Sequence, residues 1–149
     1  MISKILVPSD GSKYAKKAAE YAIELAKQIS ASIIILSVID QRSLIAQTIP
    51  ASQTLRHTIQ PVDYYLKEAA EMFTAEIKKL CDKNGVGSKI VIKTGHPADV
   101  IIKEAKKLKA DLIVMGSHGR SALSAAVLGS VSYGVIHNDK KMHVLIVRG

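Results

Sequence analysis

Five runs, apolar throughout but for Ser37, punctuate the chain: Ile5 to Val7, Ile33 to Ile39, Ile90 to Ile92, Leu112 to Met115 and Val144 to Val147. Apolar residues fill successive rather than alternate positions, so these runs predict strands buried on both faces of a sheet. Between them the period lengthens to that of a helix. Ala15, Ala18, Ala19, Ala22, Leu25, Ala26 and Ile29 form one stripe, with Ser12 placed to cap it. Val62, Leu66, Ala69, Ala70, Phe73, Ile77 and Leu80 form a second, with Pro61 near the first turn and Gly85 just past the end. A shorter helix runs from Pro97 through Val100, Ile101, Ala105 and Leu108. Strands alternating with helices imply parallel pairing through right-handed crossovers, hence one doubly wound α/β (Rossmann-like) domain with helices on both faces.

In such a fold ligands sit at the carboxyl ends of the strands, where a topological switch point separates neighbours. The Pro8 to Asp10 loop, the Val38 to Asp40 strand end and the loop that starts at Gly116 all fall there. The last of these is the richest in chemistry. Met115 ends a strand and Gly116-Ser117-His118-Gly119-Arg120-Ser121 follows, then Gly129-Ser130-Val131-Ser132 opens a further helix-like segment. Glycines admit a close ligand and expose amides that donate to phosphate oxygens. A helix start adds orphan amides and a positive dipole end. Ser117, Ser121, Ser130 and Ser132 contribute hydroxyls, and Arg120 a permanent charge suited to phosphate. A tight turn into the next helix would need the glycines but not this many donors. His118 either donates to a phosphate or packs within the loop. Asp10 either accepts from a ligand or closes an Asx turn on its own backbone.

Nine residues separate Gly119 from Gly129. This spacing resembles the nucleotide signature of the universal stress protein family, whose ATP-binding members carry Gly, two residues, Gly, nine residues, Gly and then Ser or Thr. Lys4-Ile5-Leu6-Val7-Pro8-Ser9-Asp10-Gly11-Ser12 looks like that family's first strand and loop, and Gly95-His96-Pro97 like its Gly-x-Pro after the third strand. The resemblance spans nearly the whole chain. It implies a five-stranded sheet of order 3-2-1-4-5 and a single nucleotide-binding domain over residues 1–149. Residues 41–60, low in charge and with Pro50 inside, are the part that the resemblance covers least and read as a variable loop or a short helical excursion. The resemblance also implies ATP, with Mg²⁺ reached by Asp10 through phosphates or water rather than by a direct protein metal site. Pro8 and Ser9 would shape the first loop, Asp10 would meet the nucleoside, and Val38 would wall the adenine. The loop from Gly116 to Ser121 and the Gly129 to Ser132 segment would grip the phosphates. The family often forms homodimers, and the apolar strand His143 to Val147 is the edge expected to carry one.

Other chemistries find little support. Gly129 and Gly134 have the spacing of a P-loop, but Val135 stands where its lysine belongs, and no GxGxxG follows the first strand. The histidines show no HExxH spacing, no GxSxG elbow occurs, and Cys81 reads as a small core residue on a helix stripe. No base–nucleophile pair emerges, so catalysis beyond weak ATP hydrolysis is not expected.

The balance of 21 Lys+Arg against 13 Asp+Glu gives a net charge of +8. The lysines fall mainly on the solvent sides of the helices, and with 4% aromatic residues no stacking platform interleaves with them, so nucleic acid is not the expected partner. No apolar run reaches the roughly 18 residues of a membrane span, no signal-peptide core follows Met1, and one cysteine cannot form an internal disulfide. A cytoplasmic setting is expected. The functional expectation is an ATP-binding, nucleotide-responsive stress or regulatory module. Alternatives are a slow ATP-dependent enzyme, a sensor of AMP or cyclic AMP, or an interaction protein needing no nucleotide.

Overall fold

The computed structural model describes residues 1–42, 55–119 and 127–149, with the backbone alone for 55–61. Five parallel strands form one sheet: β1 (Lys4–Pro8), β2 (Ser32–Asp40), β3 (Ser88–Gly95), β4 (Leu112–Gly116) and β5 (Val144–Val147). Their order is β3-β2-β1-β4-β5, as the resemblance implied. The helices are α1 (Lys13–Ile29), α2 (Leu55–Lys83), α3 (Pro97–Lys107) and α4 (Ser130–Asn138).

The two-residue side-chain period of a strand divides the core in two. Ile5, Val7, Ile33, Ile35 and Val114 point to one face, where α1 and α2 cover them with Ala18, Ala22, Ile77 and Cys81. Leu6, Ile34, Leu36, Ile113 and Met115 point to the other, under Ala98, Ile101 and Ala105 of α3 and Val135 of α4. Ile5, Leu6 and Val7 retain no exposed surface, and complete burial of such a side chain contributes about 1.5–3 kcal/mol. Alanines dominate α1's buried side, which lets its backbone sit close to the sheet.

Three expectations are modified. β3 and β5 are half-exposed rather than buried on both faces, because they form the two edges of the sheet. β3 is longer than Ile90 to Ile92, since its outer positions carry Lys89, Lys93 and Thr94, which edge strands tolerate. The second helix begins at Leu55, so Pro61 lies inside it rather than near its first turn. Of the segment 41–60, expected as a loop or a short helical excursion, residues 55–60 are helical as part of α2, while 43–54 lie outside the described residues.

The strand order puts the switch point between β1 and β4, which pair directly through Ile5↔Leu112 and Leu6↔Ile113. The chain leaves β1 toward α1 on one face and β4 toward α4 on the other. The carboxyl ends of these two strands therefore open onto a gap between the layers.

Candidate functional site

A cleft of about 830 Å³ occupies that gap, within the range of small-molecule sites. Its floor comes from the ends of β1, β2 and β4 (Pro8, Ser9, Asp10, Val38, Met115 and Gly116), and one wall from Gly119, Gly129, Ser130, Val131 and Ser132.

The first loop is held by its own polar groups. Ser9 N donates to Leu36 O at 2.8 Å, tying the end of β1 to β2. Ser12 N donates to Asp10 Oδ1 at 2.9 Å, so the Asx turn anticipated as one role of Asp10 is present. Gly11 supplies the positive φ of +79° that this reversal requires. Ser12 Oγ then accepts from Ala15 N at 3.2 Å and caps α1. The Asp10 carboxylate also faces the glycine loop: a Cβ on Gly119 would lie 2.6 Å from its Oδ2.

The second loop is stitched in the same way. Gly129 N donates to Ser117 O at 2.6 Å, joining the start of the loop to the start of α4. Ser132 Oγ donates to Gly116 O at 2.8 Å, and Ser117 N donates to Val147 O at 3.1 Å. Gly129 occupies the N-cap position of α4, where no side chain caps the helix. The amides of Ser130, Val131 and Ser132 follow it, where no preceding turn supplies carbonyls. The cleft thus meets the positive end of a helix dipole.

The structure sorts the expected residues. Pro8, Ser9, Asp10, Val38, Met115, Gly116, His118, Gly119, Gly129, Ser130, Val131 and Ser132 come together around the cleft. Ser117 does not line it: the residue is buried, and its hydroxyl lies 3.0 Å from His118 Nδ1. The Ser132 hydroxyl likewise serves the Gly116 carbonyl. His118 lines the cleft, joins Ser117 within the loop and packs against α1, its ring 5.4 Å from that of Tyr14. Arg120 and Ser121 lie outside the described residues.

Several cleft residues had not been singled out from the sequence as site residues. Leu66, Ala69, Ala70 and Phe73 of α2 form an apolar side; they stand out as a helix stripe, but nothing distinguishes a stripe that covers sheet from one that faces a ligand. Asp40 and Arg42 stand at the β2 end, joined by a 3.0 Å ion pair and by Arg42 N donating to Asp40 Oδ1 at 2.9 Å. Burial disfavours the Asp40 charge, but the hydrogen bonds and positive charge of Arg42 outweigh it and hold the carboxyl below its ordinary value. Among the described residues no three His, Cys, Asp or Glu side chains converge as a metal site. Cys81 is fully buried away from the cleft, and burial pushes its thiol pKa up.

A doubly wound α/β domain whose switch-point cleft is edged by glycines and a helix N-terminus defines a class of anion-accommodating folds. The chain belongs to the universal stress protein family, whose model matches residues 1–148. It is 34% identical over 138 residues to universal stress protein MJ0531 of Methanocaldococcus jannaschii, covering 93% of this chain and 78% of that one. It is 32% identical to universal stress protein MJ0577 of the same organism over 99% of this chain and 96% of the relative. The solved structure of MJ0577 superposes with a TM-score of 0.86 over 100% of this chain and 97% of that one. Two structures below one-quarter identity share the fold. One is a universal stress protein in complex with cAMP (24% identity, TM-score 0.66, 99% and 98% of the two chains). The other is the Arabidopsis thaliana family protein At3g01520 with AMP bound (22%, 0.59, 98% and 91%).

Proposed function

We propose that the chain, as a single domain over residues 1–149, binds an adenine nucleotide in this cleft, ATP with Mg²⁺ in particular, and acts in the cytoplasm as a nucleotide-responsive regulatory module. The observation that carries the reading is the pair of glycines, Gly119 and Gly129. A Cβ at the first would stand 2.6 Å from Asp10 Oδ2 at the cleft, so the loop presents bare backbone there, while the second closes against His118 Cα at 3.0 Å and opens the helix. That is the chemistry a polyphosphate needs: amide donors, no intervening side chain and a favourable dipole. Gly116, Gly119 and the amides of Ser130 to Ser132 would hold the phosphates, with Arg120, Ser121 and His118 adding charge and donors, while Ser117 would act through His118, to which its hydroxyl is joined. Asp10 would meet the nucleoside and hold Mg²⁺ through phosphate or water, while Pro8, Ser9, Val38 and Met115 would enclose the base. The family structures with cAMP and with AMP support adenine nucleotides as the ligand class.

Titration calorimetry of nucleotide-stripped protein with ATP, ADP, AMP and cAMP, with and without Mg²⁺, tests the reading. ATP with Mg²⁺ is expected to bind most tightly, and Gly119→Val to weaken it at least about tenfold, or 1.4 kcal/mol. Heat from AMP or cAMP alone would make the protein a sensor of those ligands. Heat from none would remove the nucleotide reading.

The same reading includes a homodimer built on His143 to Val147. Ile113 N donates to His143 O and Ser117 N to Val147 O, so alternate residues of β5 turn to β4. Val144 and Ile146 consequently turn their N–H and C=O outward, as an edge that pairs with another strand does. The opposite edge carries Lys89 and Lys93 within β3. Light scattering should return about twice the 16.1 kDa chain mass; the monomer mass at working concentration would refute the dimer.

A further inference from the structure

Six of the chain's lysines meet at the end of the sheet opposite the cleft. Lys4 opens β1 there, and its Nζ donates to Leu108 O at 3.2 Å just beyond α3. Lys106 and Lys107 close α3, and Lys109 follows in a left-handed conformation with φ of 57°. Asp111 N donates to Lys4 O at 2.8 Å, fixing that turn against the first strand. Lys140 and Lys141 lie in the turn between α4 and β5, where Asp139 pairs with Lys106 and accepts from Lys141 N at 2.9 Å. Three separate segments thus bring Lys4, Lys106, Lys107, Lys109, Lys140 and Lys141 to one end, and all but Lys4 are exposed. Two aspartates accompany them. Hydrogen bonds from Ser3 and Lys4 hold the Asp111 carboxyl below its ordinary value, and those from Lys106, Met142 and Lys141 take Asp139 down to about 2. Each therefore stays ionised and offsets one lysine.

Fold stability accounts for only part of this array. A helix C-terminus carries roughly half a negative charge and draws basic residues to its last turn, which covers Lys106 and Lys107. Lys109, Lys140 and Lys141 lie outside any helix, and among the described residues Lys107, Lys109, Lys140 and Lys141 form no ion pair. Their mutual repulsion opposes folding, so an external anion is the feature they match.

The residue types narrow that partner. The array contains no arginine fork for bidentate phosphate recognition and no aromatic ring for stacking on a base. It consists of mobile point charges set across an end of the molecule, and clusters of four to eight such residues suit the diffuse charge of an anionic leaflet, at about 1 kcal/mol per lysine near the surface. We infer that this end docks on anionic lipid headgroups, with the cleft facing away into solvent. Docking needs no nucleotide, so it stands or falls independently of the cleft's ligand.

The test is sedimentation of the nucleotide-stripped protein with vesicles of phosphatidylcholine alone or with about 30% phosphatidylserine, beside a duplex DNA titration, at low and at roughly 0.3 M salt. The protein should pellet with the anionic vesicles only and be released by salt. The variant Lys107→Glu/Lys140→Glu/Lys141→Glu should lose at least about tenfold in partitioning. The variant Lys13→Glu/Lys16→Glu/Lys17→Glu, with the same change of charge near the cleft end, should retain it. Should the first variant fold poorly, Lys140→Gln/Lys141→Gln should still lose several-fold while its circular dichroism matches the parent. No pelleting, or equal loss in both charge-reversed variants, would overturn the inference, and DNA binding without vesicle binding would transfer the surface to a nucleic acid.

Discussion

A Cβ on Gly129 would stand 3.0 Å from His118 Cα and 3.2 Å from Ser117 O, both backbone atoms of the facing loop. At Gly119 the obstacle is Asp10 Oδ2 at 2.6 Å, the far end of a side chain that can rotate. The two glycines should therefore answer differently to alanine. Gly129→Ala must push backbone against backbone and should cost about 1–3 kcal/mol in urea unfolding, the range for overpacking. Gly119→Ala should cost less than about 1 kcal/mol, yet should weaken nucleotide binding by displacing the Asp10 carboxylate. Equal stability losses would contradict this division. Asp139 offers a second residue-level test. With its folded pKa near 2 against the ordinary 3.8, its contribution is complete above the unfolded value and disappears as pH falls through the folded one. Asp139→Asn should be less stable than the parent at pH 6, and the gap should close between about pH 4 and 2. A gap unchanged across that window would show that the Lys106 ion pair and the turn amides contribute no charge-dependent stability.

The elements differ in how plainly the sequence announces them. β1, β2 and β4 stand out as apolar runs because both their faces are buried, so no solvent-facing residue interrupts the pattern. β3 shows only its middle, since an edge strand places lysines outward within the same run. The start of α2 is hidden by Pro61, which ordinarily marks a first turn but here lies six residues into the helix. The stripe Leu66 to Phe73 was legible as apolar, but its role as a cleft wall depends on how α2 overhangs the sheet, a tertiary fact. Within the glycine motif, spacing located the loop, yet it could not show that Ser117 turns inward to His118 while its neighbours line the cleft. The cap of α1 was fully legible: Ser12 precedes the alanine stripe and accepts from Ala15 N. Ser12→Ala should therefore cost about 1 kcal/mol in urea unfolding. No loss would mean that the Asx turn of Asp10 alone starts the helix.

At the scale of the whole molecule, the cleft lies at the carboxyl ends of the strands and the lysine array at the amino ends, with the β5 edge running between them. A ligand shifts the molecule only if it prefers one of its conformations, so the first question is whether the cleft takes a nucleotide at all. Thermal unfolding of nucleotide-stripped protein with saturating ATP and Mg²⁺ asks it directly. At about 100 times the dissociation constant the native state gains roughly 2.7 kcal/mol, which should raise Tm by about 2–4 °C or somewhat more for a domain of this size. That rise is expected in the parent protein and should be lost in Gly119→Val. An unchanged Tm with folded, stripped protein would contradict the nucleotide reading and leave the glycine loop as a turn between strand and helix.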